Sequence, residues 1–204
     1  MRSPYSPLPG AGHPARGLFI DRWGTLLELP EQGFVNRLED ARFTPGAIDA
    51  MFRAGQAGWM LYLVGNEQSV AHGRQTLEDW ESFERALLEH LRTLGIPIQR
   101  SYACTDDPQG VEPYTKDSVF LLPNTGTLYH AAQVDGIILD QSWVVGDSSL
   151  ELVAGWRASC RLAGVRTGLA VKDGKFPVDP ELYADDLAHV LGEVTSGEKH
   201  ASGR

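Results

Sequence analysis

Cysteine is scarce in this chain: Cys104 and Cys160 are the only two in 204 residues. Two thiols in a chain this long do not make a disulfide framework, which points to a reducing, cytoplasmic setting. Basic residues are also short, 18 Lys and Arg against 27 Asp and Glu, for a net charge of −9. A phosphate-backbone binder needs a basic face, so a nucleic-acid partner is excluded and a membrane-surface role disfavoured. No apolar run is long enough to span a bilayer. The N-terminal arginines have no apolar stretch behind them, so the start does not read as a secretory signal. Internal repeats are absent as well. What remains is 42% hydrophobic and 22% charged residues, the balance of one ordinary globular domain with a sizeable core.

Residues 1–16 are rich in Pro, Gly and Ser and predict a disordered arm; the tail 195–204 predicts the same. Between them, 17–194 alternates short apolar runs with helical periodicity. Strands are predicted at Leu18–Ile20, Met60–Val64, Ile98–Ala103, Trp143–Val145 and, as the last, Arg161–Val165. Helices are predicted after Pro45, through Leu77–Leu94, over Thr127–Ala132 and over Leu150–Trp156. Uniformly apolar strands alternating with helices give an α/β fold, a Rossmann-like parallel sheet covered on both faces. Such sheets bind ligands at the carboxyl ends of their strands, here Asp21, Gly65-Asn66 and Asp147.

One acid at a strand end reads equally well as a turn or helix cap. Two on strands that a parallel sheet can place side by side repel each other unless a cation sits between them, and hard oxygen ligands suit Mg²⁺.

The stretch LFIDRWGTLLEL resembles the first motif of the haloacid-dehalogenase (HAD) superfamily, an apolar strand followed by Asp-x-Asp-Gly-Thr. VVGDSSLELVAG resembles its last, Gly-Asp with a second acid four residues on. The likeness is closest to the histidinol-phosphate and heptose-bisphosphate phosphatase branch and runs from about Leu18 to Gly168. GNEQSVAHG stands where that branch has Thr-Asn-Gln-Ser-Gly-x-Ala-Arg-Gly, and GFVNRLEDARFTPGAIDAM, YACTDDPQG and GVRTG also match. The resemblance implies a HAD fold without a large cap domain and a phosphatase acting on a small phosphorylated metabolite of the sugar-phosphate class. It assigns Asp21 as the nucleophile toward phosphorus. It implies Mg²⁺ held by Asp21, the Trp23 main-chain carbonyl and Asp147, with Glu151 as an outer carboxylate orienting them. Arg22, Gly65, Asn66 and His72 fall at positions that would contact substrate.

The chain also departs from the pattern. Trp23 replaces the aspartate that serves the branch as general acid, and indole has no proton to exchange near neutrality. Gly65 replaces a hydroxyl residue, and Leu122 the lysine of Arg-Lys-Pro; Lys116 upstream is the candidate substitute. The branch's zinc loop is reduced to Cys104, with Asp106, Ser118 and Phe120 at the other ligand places, so no structural zinc is expected. Arg166 reads as a surface residue, and Trp59, Trp80, Trp143 and Trp156 as core. These losses imply impaired catalysis. The alternative is a non-catalytic pseudo-phosphatase that binds a ligand or a protein partner. A dehalogenase ranks last, because that branch lacks the Gly-Asp pattern.

Overall fold

Every residue from Gly17 to Asp21 is buried, as a strand covered on both faces requires. The computed structural model describes residues 15–201, with side chains to residue 196. Six strands form one all-parallel sheet: β1 (Gly17–Asp21), β2 (Met60–Val64), β3 (Ile98–Ser101), β4 (Trp143–Gly146), β5 (Arg161–Val165) and β6 (Leu182–Ala184), in the order β3-β2-β1-β4-β5-β6. The chain winds outward from β1 through β2 and β3, then returns to β1's other side with β4. That reversal between β1 and β4 is the switch point at which open parallel sheets bind ligands. The register sets Asp21 level with Val64, and Ile20 level with Val145. The three strand ends carrying Asp21, Gly65 and Asp147 are therefore neighbours.

Helices α1 (Ala47–Gln56), α2 (Gln68–Ala71), α3 (Leu77–Thr93), α4 (Gly126–Asp135), α5 (Ser149–Arg157) and α6 (Leu187–Ala201) cover the sheet. Side chains of one strand alternate between its faces. Leu18, Ile20, Leu61 and Leu63 pack with Met51 of α1, Trp80 and Leu87 of α3 and Leu191 of α6. Phe19, Tyr62 and Val64 pack on the other side with Leu128 of α4 and Leu152 of α5. Burying each such side chain stabilises the fold by roughly 1.5–3 kcal/mol. No helix among the described residues is long and apolar enough to cross a membrane.

The sequence-predicted boundaries differ at both ends. Residues 1–14 lie outside the described residues, but Ala15 bridges Ile137 and the Arg16 guanidinium sits 4.5 Å from the Trp59 ring centre. β5 is not the last strand. β6 follows it, too short to show an apolar run, and α6 continues past Thr195 to Ala201. β3 stops at Ser101, two residues short of Ala103. Three of the four tryptophans named above are core, but Trp156 on α5 is 69% exposed.

Candidate active site

Asp21 ends β1 with its side chain buried and with Oδ2 lacking a hydrogen-bond partner. Beyond it the chain turns sharply: Gly24 donates to the Leu27 carbonyl at 2.6 Å, and Leu26 donates to the Asp21 carbonyl at 3.2 Å. Asp147 follows β4, and its Oδ2 accepts the Leu169 N–H at 2.7 Å. Two glycines bracket that carboxylate. A Cβ at Gly24 or at Gly168 would lie 2.0 Å from Asp147 Oδ2, and both glycines have positive φ, +85° and +59°. Glu151 sits in the first turn of α5, where Ser148 forms a capping box with it. The Ser148 N–H and hydroxyl donate to the two Glu151 oxygens at 2.6 and 2.7 Å.

Asp21, Asp147 and Glu151 each offer an oxygen, and these atoms lie within 4.8 Å of one another, all three residues being buried. Burial, and then the neighbouring carboxylates Glu151 and Asp147, push Asp21 well above the ordinary carboxylate range. Burial pushes Asp147 to about 6, and burial with Asp147 beside it pushes Glu151 to about 8. Three buried acids with an unsatisfied oxygen among them fit a hard divalent cation, which would hold them ionised. Glu151, predicted as an outer carboxylate, is thus a member of the cluster itself while also gripping Ser148.

A cleft of about 320 Å³ opens over this cluster, bordered by Trp23, Gly65, Asn66, Glu67, Arg74, Leu122 and Lys175. A second hollow of about 580 Å³ adjoins it and shares Trp23, Leu29 and Pro30. Together they have room for a small sugar ester.

The predicted contact residues divide. Gly65 lies in the cleft, and its glycine backbone is needed there: φ is +154°, and a Cβ would stand 3.3 Å from Asp21 Oδ1. Asn66 is occupied in another way. Its side-chain amide donates to the Leu122 carbonyl at 3.0 Å and accepts the Leu122 N–H at 2.8 Å, fastening that loop to the cleft wall. Arg22 is not at the rim. Its guanidinium is buried, donates to Glu84 at 2.8 Å and Ser101 at 2.7 Å, and lies 4.9 Å from the Trp80 ring centre. There it ties the end of β1 to β3 and α3. His72 is also outside the cleft, with Nε2 3.3 Å from Asp107 Oδ2. Lys116 does not border the cleft either. Arg166 pairs with Asp185 at the surface.

Of the zinc-loop remnants, Cys104 donates its thiol to the Asp106 carbonyl at 3.4 Å, and burial raises its pKa. Phe120 stacks with Tyr102. Burial pushes Cys160, in the core, up to about 12.

Sequence reasoning missed three cleft residues: Glu67, Arg74 and Lys175. Glu67 is buried; its Oε2 accepts the Trp23 indole N–H at 3.2 Å, and its Oε1 accepts the Ser69 hydroxyl at 2.5 Å. The signal was present in GNEQSVAHG, where an acid stands in place of the branch's glutamine. Arg74 comes two residues after the place of the branch's arginine, and nothing in its neighbourhood marked Lys175.

No family model matches the chain. A D-glycero-D-manno-heptose-1,7-bisphosphate 7-phosphatase of Thermosynechococcus vestitus is 31% identical over 184 residues, covering 86% of this chain and 93% of its own length. The D-glycero-beta-D-manno-heptose-1,7-bisphosphate 7-phosphatase of Escherichia coli K12 is 29% identical over 185 residues, 89% of this chain and 93% of that one. The crystal structure of a D,D-heptose 1,7-bisphosphate phosphatase from B. bronchiseptica, complexed with magnesium and phosphate, superposes with a TM-score of 0.77 at 23% identity, over 89% of this chain and 99% of that one. That of the corresponding enzyme from Burkholderia thailandensis gives 0.62 at 19% identity, over 89% and 99%. These two structures establish the fold, and the Thermosynechococcus relative the kinship: the chain belongs to the heptose-bisphosphate phosphatase branch of the HAD superfamily.

Proposed function

We propose that the chain is a phosphomonoesterase for a small phosphorylated sugar of the heptose-bisphosphate kind, with Asp21 attacking phosphorus. The observation that carries this reading is the Asp21 carboxylate. One of its oxygens has no hydrogen-bond partner, and it faces a cleft in which Asp147 and Glu151 converge on it. An aspartate that merely capped a turn would have its oxygens taken up by backbone N–H groups.

Asp21, the Trp23 carbonyl and Asp147 would hold a divalent cation, which would neutralise charge on the nucleophile and on a bound phosphate; the convergence of Asp21 and Asp147 supports this set. Glu151 fixes Ser148, and through it the start of α5 next to Asp147. Asn66 fixes the Leu122 loop as the opposite wall. Trp23 closes part of the cleft with an indole stacked on Phe83 at 5.5 Å. The loss of an acid at this position lowers turnover relative to the branch's pattern. A pseudo-phosphatase that binds a phosphate ester without turning it over is the second reading, favoured by the same indole, which bonds Glu67 where the branch has its acid.

Single-turnover trapping separates the two. With Mg²⁺ and a labelled sugar bisphosphate, the proposed enzyme forms an acid-stable, hydroxylamine-sensitive acyl phosphate that Asp21→Asn abolishes. Saturable binding with no label on the protein would establish the second reading instead.

A further inference from the structure

The cleft holds four carboxylates, Asp21, Glu67, Asp147 and Glu151, and two cationic side chains, Arg74 and Lys175. A doubly charged phosphate entering beside these acids needs positive charge besides a metal ion's. Position 122 cannot supply it. Leu122 is buried in the apolar cluster with Val64 and Leu128, its main chain clamped by Asn66.

Lys175 lies on the loop after β5, and that loop is fastened to the catalytic strand end at several points. Leu169 donates to Asp147 Oδ2 at 2.7 Å, and Val171 to the Asp147 carbonyl at 2.5 Å. Nearer the lysine, Asp173 accepts the Ser149 N–H at 2.9 Å and the Ser149 hydroxyl at 2.6 Å. On the other side of it, Phe176 donates to Ser149 Oγ at 3.2 Å. Ser149 opens α5, two residues after Asp147. Through the Asp173 carboxylate on one side and the Phe176 N–H on the other, the chain around Lys175 is thus tied to the start of α5, two residues after the site's second aspartate. Lys175 is exposed and borders the cleft, and its four-carbon stem is flexible.

We propose that Lys175 supplies, from the loop after β5, the positive charge against a bound phosphate that the chain lacks at Leu122. The proposal rests on the phosphatase reading for its substrate, though not for its anion. It is a transfer of one charge from one wall of the cleft to the other, and no bond is made or broken by the lysine.

The test uses the full chain with Mg²⁺ and two readouts: binding of inorganic phosphate, and turnover of an aryl phosphate. Lys175→Ala should weaken phosphate binding about tenfold to a hundredfold and lower kcat/KM by about 10²–10³-fold. Lys175→Arg should retain most of the binding. Lys172→Ala, exposed on the same loop but outside the cleft, should change neither. Phosphate binding within threefold of the unmodified chain in Lys175→Ala overturns the inference, even if turnover is brisk. Lysine-dependent phosphate binding without any turnover upholds it and removes the phosphatase reading. If the unmodified chain binds no phosphate at all, both fall.

Discussion

The indole N–H of Trp23 points at Glu67, donating to Oε2 at 3.2 Å. Two departures from the family pattern therefore touch: position 23 has lost an acid, and position 67 has an acid where the branch has glutamine. Glu67 is also the only one of the cleft's four carboxylates outside the 4.8 Å cluster. Glu67→Gln keeps the shape and a partner for Ser69. Its melting temperature should stay within a few degrees of the unmodified chain's, while turnover of a phosphate ester falls about 10²–10⁴-fold, the range for one positioned proton-transfer group. Steady-state kinetics beside a thermal melt checks it. Unchanged kcat would show that Glu67 only anchors the indole.

The carboxylate cluster predicts a metal response. Mg²⁺ should raise the melting temperature with concentration and stabilise by about 2.7 kcal/mol at a hundred times its Kd. Chelation should reverse the shift. Asp147→Asn should abolish it, and Glu151→Gln should weaken it, because Ser148 loses its grip at the start of α5. A melt indifferent to millimolar Mg²⁺ in the unmodified chain would refute the site.

Gly24 and Gly168 test how tightly Asp147 is held. Either alanine variant brings a Cβ to 2.0 Å from Asp147 Oδ2, on a backbone with positive φ. Gly136 is the control, because its φ is +71° and nothing lies within 4 Å of a Cβ there. Gly136→Ala should lose only about 1 kcal/mol, the strain of the left-handed backbone. Gly24→Ala and Gly168→Ala should lose more and should also lose the Mg²⁺ shift. Denaturant melts with and without metal distinguish the two costs. Equal losses in all three variants, with the metal response intact, would mean Asp147 moves aside freely.

Much of this was readable from the chain alone. β1, β2 and β4 are short apolar runs that end in or just before Gly or Asp, and the pairing of β1 with β4 places Asp21 and Asp147 together. Failures came where side-chain direction decides the role. Arg22 follows Asp21, but its guanidinium is taken up by Glu84 and Ser101, partners far along the chain. Asn66 spends its amide on the Leu122 main chain, a partner 56 residues away that no local pattern reveals. Lys175 belongs to an irregular loop held by Asp173 and Phe176 against Ser149, which has no periodicity to read. The sequence reading puts Trp156 in the core, yet α5 turns it to solvent.

The exchange between positions 23 and 67 can be reversed, and the structure says which reversals are worth making. Gly65→Thr is not one of them. Its Cβ would crowd Asp21 Oδ1 at 3.3 Å on a φ of +154°, unfavourable for a β-branched residue. Leu122→Lys would put an ammonium into an apolar cluster. Trp23→Asp and Glu67→Gln remain, and together they restore the branch's own pair. Trp23→Asp alone gives up the stacking on Phe83 and sets a second carboxylate against Glu67, so it should melt lower and gain little activity. Glu67→Gln alone should lose most turnover. In the double variant the glutamine amide can donate to the new aspartate, and turnover should exceed that of Glu67→Gln by at least about a hundredfold. The two changes should be strongly non-additive, as expected of residues in contact. Asp21→Asn added to the double variant should erase the gain, if Asp21 forms the phospho-enzyme as proposed. A folded double variant that binds phosphate and stays inactive would favour the pseudo-phosphatase reading. Trp23→Asp alone matching the double variant would show that the two positions act independently.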